Sequence, residues 1–169
     1  MSRYRPPAPR SSPYITRSGF ETLQAEARQL WVTRREVTAA LADAAAEGDR
    51  SENAEYIYRK KQLRELDRRI RYLQKRLPEL KVVEPRDDDT EQVFFGAWVT
   101  LEDEQGDALC LRIVGADEFD PKHNWISIDS PMARALLKKQ PDDEVAVQTP
   151  QGPRHYLVLA VSYVAPPAG

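Results

Sequence analysis

Four carboxylates, Glu47, Asp49, Glu52 and Glu55, fall within nine residues of this chain, with Arg50 the one cation among them. Carboxylates can take up a proton or bind a hard cation. If the chain does chemistry, these side chains are its candidates. The same spacing also has a purely structural reading. Asp49 can cap a helix by accepting from its free amides, with Glu52 three residues on completing a capping box. Ser51 is a second cap candidate. Carboxylates in a first turn also suit the helix dipole. Spacing alone leaves both readings open.

Other chemistries find little support. His123 and His155 are too far apart to suggest a local metal motif, and Cys110 has neither a disulfide partner nor a companion ligand. No phosphate-cradling glycine loop is present, and no Ser/His/Asp constellation can be argued. No apolar run approaches the ~18 residues of a membrane span. With a single cysteine and no apolar leader, a cytoplasmic location is expected.

The elements that must position the acidic stretch are two long helical patterns on either side of it. Phe20, Leu23, Ala27, Leu30, Val37 and Leu41 repeat at heptad spacing, with Arg34 breaking one position and Trp31 widening the seam. Leu63, Leu66, Ile70, Leu73, Leu77 and Leu80 repeat at 3, 4, 3, 4, 3, and Pro78 should kink or stop that helix. Gly48 can take the positive φ of a turn between them. The pattern predicts an antiparallel coiled-coil hairpin over residues 14–83 with the acidic cluster at its tip. At ~1.5 Å per residue its arms are about 45 Å long, which makes it a reaching device or a spacer.

A second pattern lies on the later helix. At 100° per residue, Lys60, Lys61, Arg64, Arg68, Arg71 and Lys75 share one arc nearly opposite the leucine seam. Residues 59–76 hold nine cations and only Glu65 and Asp67 as anions. A solvated back face normally mixes signs, so a polyanion-facing role competes with plain solvation. The whole chain has a net charge of −2, but residues 1–81 hold 18 Lys/Arg against 11 Asp/Glu, and residues 82–169 hold 7 against 16. A basic half and an acidic half suggest two modules.

Residues 1–13, with four prolines and three arginines, read as a disordered tail, and residues 84–92 as a charged linker. Beyond it the period changes. Strands are expected at Val93–Leu101, Leu109–Val114, Trp125–Ile128, Asp143–Thr149 and Tyr156–Val164, with a helix at Met132–Lys139 capped by Ser130 with Pro131 at its first position. The fold class is α+β: the helical hairpin, then a bent antiparallel sheet with one short helix over residues 93–169.

The stretch Gly48-Asp49-Arg50-Ser51-Glu52-Asn53-Ala54-Glu55-Tyr56 resembles the tip signature of the bacterial Gre transcript-cleavage factors, in their GreB form. The likeness continues through Lys60–Arg69, resumes at Val93–Val99 and recurs at Ile126–Lys139, covering residues 14 to 164 in order. The resemblance implies a C-terminal domain similar to the FKBP fold that docks on RNA polymerase beside its secondary channel. The coiled coil then enters that channel and brings its tip to the polymerase active site, where cleavage of backtracked RNA is stimulated. By this likeness, Asp49 and Glu52 are expected to support a second Mg²⁺, held jointly with the polymerase, and the attacking water. The basic stripe would face the nascent RNA 3′ segment or the channel wall. Asp129, Ser130 and Pro131 are expected to dock on the polymerase, although an ordinary helix start explains them equally well. The factor would be a monomer that contacts no membrane, binds no metal tightly when free and is not itself a nuclease.

Three other readings remain. A Gre-like channel regulator without cleavage activity would carry the same architecture. A basic coiled coil gripping nucleic acid directly would show steeply salt-dependent binding to free RNA or DNA. A prolyl isomerase would need an apolar, aromatic pocket in the second domain.

Overall fold

The computed structural model describes residues 8–49 and 52–167. They form two compact units, Ser18–Leu80 and a second one made of the N-terminal segment through Arg17 together with the chain from Lys81 onward.

The first unit is a pair of helices, α1 (Arg17–Ala46) and α2 (Ala54–Arg76). Side-chain contacts fix their antiparallel sense, since partner numbers fall on one helix as they rise on the other: Ala44 meets Asn53, Arg34 meets Asp67 and Glu26 meets Arg69. Leu23, Val37, Ala44, Ile70 and Leu73 are buried along the seam, while the remaining apolar positions are half-buried. A two-helix arm has too little apolar surface to bury more. Arg34, the polar break in the first heptad run, donates to Asp67 at 2.6 Å across the seam, and the bonded Asp67 carboxylate raises its pKa. Trp31 does not widen the seam as expected; it is 45% exposed, with the Arg34 guanidinium 6.0 Å from its ring. Helix α2 ends at Arg76, and Pro78 lies in the single 3₁₀ turn Leu77–Glu79 that follows.

The second unit begins with a strand that the periodicity gave no sign of. Strand β1 (Tyr14–Thr16) pairs in parallel with β2 (Lys81–Val83). The boundaries therefore move: residues 14–17 and 81–83 belong to this unit rather than to the coiled coil. Of the expected tail, residues 1–7 lie outside the described residues. Residues 8–13 lack regular structure but are anchored, because Ser12 bonds Asp129 and the Pro13 carbonyl accepts from the Lys81 amide. The expected linker is tied down as well. Glu84 binds Arg17, and Arg86 binds Asp88 while covering the Phe94 ring at 4.5 Å.

A five-stranded sheet follows, in the order β5-β4-β3-β7-β6, from β3 (Trp98–Glu102), β4 (Ala108–Val114), β5 (Trp125–Ser127), β6 (Glu144–Thr149) and β7 (Gly152–Ser162). Three ladders are antiparallel, but β4 and β5 run parallel, which corrects the all-antiparallel expectation. A crossover of two 3₁₀ turns, Ala116–Glu118 and Pro121–His123, makes the parallel return possible. The first strand is shorter than expected because Gly96, at φ +85°, turns the chain before Trp98. Helix α3 (Pro131–Leu136) stops early because Leu137 leaves helical geometry and Lys138 takes φ +68°. Ala133 and Leu136 pack with Val99, Leu101, Ile113 and Val158 in one buried cluster. The α+β architecture of hairpin plus curled sheet holds.

Among the described residues no helix is long and apolar enough to cross a membrane.

Candidate functional site

The hairpin tip is built by Asn53. Its side-chain oxygen accepts from the Tyr56 amide at 3.1 Å, which makes it the N-cap of α2. Its side-chain nitrogen donates to the Ala44 carbonyl at 2.7 Å, in the last turn of α1, where the Glu47 amide also donates at 3.3 Å. Only one orientation of the amide serves both partners. The capping reading of Asp49 with Glu52 is thereby corrected, since Glu52 directly precedes the cap. Ser51, the other cap candidate, lies outside the described residues. Gly48 takes φ +143° with open space around it, as a turn glycine should.

Asp49 and Glu52 are both exposed. Glu55 accepts from Arg59 one turn on at 2.8 Å. Among the described residues no three His, Cys, Asp or Glu side chains gather as a metal-ligand set. The hard oxygen donors Asp49 and Glu52 suit Mg²⁺, but two carboxylates leave most coordination positions to water or to another molecule's groups.

Behind the tip, the nine cations of residues 59–76 divide into two groups. Arg59, Arg69 and Arg76 are ion-paired with Glu55, Glu26 and Glu79. Lys60, Lys61, Arg64, Arg68, Arg71 and Lys75 are all exposed, and none of the six has an ion-pair partner among the described residues. Like charges at i,i+4, such as Lys60/Arg64, Arg64/Arg68 and Arg71/Lys75, destabilise a free helix by about 0.2–0.5 kcal/mol per pair. The arrangement thus accepts local repulsion and keeps a row of cations open to an external anion.

At the third candidate position, Ser130 caps α3 by accepting from the Ala133 amide at 3.2 Å, and Pro131 occupies the first turn. Asp129 is half-buried and faces inward along the chain, accepting from the Ser12 amide at 2.8 Å and from the Ser12 hydroxyl. His123 and His155 are exposed, and His123 bonds Asp120 at 2.6 Å.

Two family models divide the chain between them. "Transcription elongation factor, N-terminal" matches residues 13–82, and "Transcription elongation factor, GreA/GreB, C-term" matches residues 88–163. The chain belongs to the GreA/GreB family. Among its relatives, the transcription elongation factor GreB of Pseudomonas aeruginosa is 57% identical over 99% of both chains. The GreB of Yersinia pestis is 58% identical over 90% of each. That of Xanthomonas axonopodis is 58% identical over 98% of this chain and 99% of its own. Among solved structures, Thermus aquaticus Gfh1 aligns over 90% of this chain and 99% of its own at 26% identity, with a TM-score of 0.42.

The tip carboxylates Glu47, Asp49, Glu52 and Glu55 and the stripe cations all lie on the exposed surface of the hairpin. Sequence patterning finds both. It does not find Asn53 as the cap, because aspartate, serine and asparagine all compete for that role within five residues. Nor does it find Asp67 as the partner of Arg34, which becomes visible only once the antiparallel register is known.

Proposed function

We infer that this chain is an elongation factor that binds RNA polymerase, inserts its hairpin into the secondary channel and stimulates cleavage of the 3′ end of backtracked RNA. The observation that carries this reading is the division of labour at the tip. Asn53 is the N-cap of α2 and bonds the last turn of α1, so neither Asp49 nor Glu52 is that cap, and both carboxylates are exposed. In the assigned roles, Asp49 contributes a ligand to a second Mg²⁺ shared with the polymerase, and Glu52 orients or deprotonates the attacking water. Such an ion, when bound, supplies Lewis-acid stabilisation and a more acidic water. The free factor offers two carboxylates and is not a nuclease; it acts as a monomer on the polymerase's own hydrolytic activity.

The six cations of the stripe attract the displaced RNA 3′ segment through its phosphates, which gives affinity without reading sequence. Asp129, Ser130 and Pro131 mark the docking corner of the globular unit. There Pro131 is the exposed member, and Asp129 is engaged with Ser12.

A cleavage assay on stalled, backtracked elongation complexes with Mg²⁺ tests the proposal, comparing wild type, Asp49→Ala, Glu52→Ala and no factor. Shortening of the RNA from its 3′ end by wild type alone, with polymerase binding retained in both variants, is the expected result. A wild type that binds without stimulating cleavage would make the chain a channel regulator. Tight, salt-dependent binding to free RNA without polymerase would favour a nucleic-acid-binding module.

A further inference from the structure

Glu118 has no role in the tip, the stripe or the docking corner, yet it is among the most heavily bonded carboxylates of the globular unit. Its oxygens accept from the Gly115 amide at 2.8 Å, from the Thr16 amide at 3.1 Å and from the Thr16 hydroxyl. Thr16 is 7% exposed and its neighbour Ile15 is fully buried. A carboxylate accepting two backbone amides and a hydroxyl is held far more firmly than an exposed ion pair.

The environment is built for this. A Cβ placed on Gly115 would lie 2.1 Å from the Tyr14 carbonyl, so β1 lies directly against Gly115. The Arg112 guanidinium, stacked between Trp98 at 4.1 Å and Trp125 at 5.2 Å, lends its positive charge to the same carboxylate. Its Nε is buried without a hydrogen-bond partner, so Glu118 offsets this cation through space rather than by contact. Two further ties reinforce the grip: Ser12 on Asp129, and the Pro13 carbonyl on the Lys81 amide.

We propose that Glu118 is a positioning residue, the lock that fixes strand β1 to the globular unit. Thr16 is immediately followed by Arg17, where α1 begins. The residue that holds Thr16 therefore holds the root of the helix carrying the acidic tip. The consequence for cleavage rests on the function proposed above; the lock itself does not. Asp49 lies on the chain that runs on from this root through α1, so the proposal ties its placement for the reaction to the hold on Thr16. Misplacing a reacting group by an ångström lowers rates on the order of 100-fold.

The test uses the full chain. The exposed Cys110 takes one spin label, and Tyr14→Cys at the exposed start of β1 takes the other, so both report on the globular unit alone. The distance distribution between them is measured for wild type, Glu118→Ala, Glu118→Gln and Thr16→Val. Cleavage is then followed as a function of factor concentration. Glu118→Ala is expected to broaden the distribution and to lower cleavage at saturation, leaving the half-saturating concentration unchanged. Glu118→Gln, which keeps an acceptor for the amides and gains a donor for the hydroxyl, is expected to restore most of the wild-type behaviour. Thr16→Val deletes one hydroxyl and should fall between them, which guards against simple unfolding of the alanine variant. An unchanged distribution in Glu118→Ala overturns the lock, and a broadened one with full cleavage at saturation overturns its role in positioning. Should wild type fail to stimulate cleavage, the functional reading is lost, and the distance distribution alone decides whether Glu118 is the lock.

Discussion

The side chain of Asn53 donates to the Ala44 carbonyl at 2.7 Å while its oxygen caps α2, so one amide closes both ends of the hairpin turn. A single side chain thus bonds a carbonyl in the last turn of one helix, which also accepts from the Glu47 amide at 3.3 Å, and satisfies an orphan donor of the next helix. Neither Asp49 nor Glu52 is the N-cap of α2.

Asn53→Ala should destabilise the chain by about 0.5–2 kcal/mol through the lost cap alone. Asn53→Asp keeps the cap acceptor but sets a carboxylate against the Ala44 carbonyl, so it should recover only part of the loss. Glu52→Ala should leave stability within about 0.5 kcal/mol, as for an exposed substitution away from a cap, while abolishing stimulated cleavage. Urea unfolding and the cleavage assay together separate the two residues. A Glu52→Ala variant as unstable as Asn53→Ala would return Glu52 to a structural role.

The exposed stripe makes a prediction about salt. Affinity of the polymerase complex for an extended RNA 3′ segment should fall when Lys61, Arg64 and Arg68 are changed to glutamine. The slope of log K against log salt should flatten by about 0.7 for each phosphate contact removed. Arg69→Gln and Arg59→Gln serve as controls, because their charges are already engaged by Glu26 and Glu55. Equal losses from stripe and control variants would assign the effect to net charge alone.

The hairpin was legible in the sequence because its signal is periodic: Leu63 to Leu80 repeat without a break, and each position depends only on its neighbours. The stripe was legible for the same reason. Strand β1 was not. It has three residues, too few to show alternation, follows a proline-rich segment, and pairs with residues 81–83, far away in sequence. The parallel sense of β5 depends on a crossover through two 3₁₀ turns that no local pattern announces. The acidic tip was visible as composition, but whether Asp49, Ser51 or Asn53 caps the helix depends on backbone angles that the residue types share.

Tyr163 ties the start of the globular sheet domain to its last strand: its hydroxyl accepts from the Phe94 amide at 2.8 Å and donates to the Gln92 carbonyl. Burial raises its pKa above the ordinary value. A raised folded-state pKa means that the native state prefers the protonated hydroxyl. Its contribution is complete below the unfolded tyrosine pKa, near ~10, and is lost as pH rises through the folded value. Tyr163→Phe should lower stability by about 1 kcal/mol at neutral pH. The gap between the two proteins should narrow under alkaline conditions, as thermal melts between neutral and strongly alkaline pH can read. A gap independent of pH would mean that folding does not shift the hydroxyl's pKa.

Gly115 is required by space rather than by backbone angle. Its φ of −69° and ψ of 161° suit any residue, in contrast to Gly48, whose φ is positive but whose surroundings are open. A Cβ at position 115 would meet the Tyr14 carbonyl at 2.1 Å and the Ile15 Cα at 3.2 Å, both backbone atoms that no rotamer change can move aside. Gly115→Ala must therefore push β1 outward, stretching the Glu118 bonds to Thr16 at the same time. Overpacking of this kind destabilises by about 1–3 kcal/mol. The loss should be local first: amide exchange should accelerate at Ile15 and Thr16 and at their partners Val82 and Val83, before the β3–β4 ladder is affected. Uniform acceleration across the sheet would show that Gly115 serves the whole core. Unchanged exchange would show that β1 tolerates displacement and that the grip on Thr16 is loose.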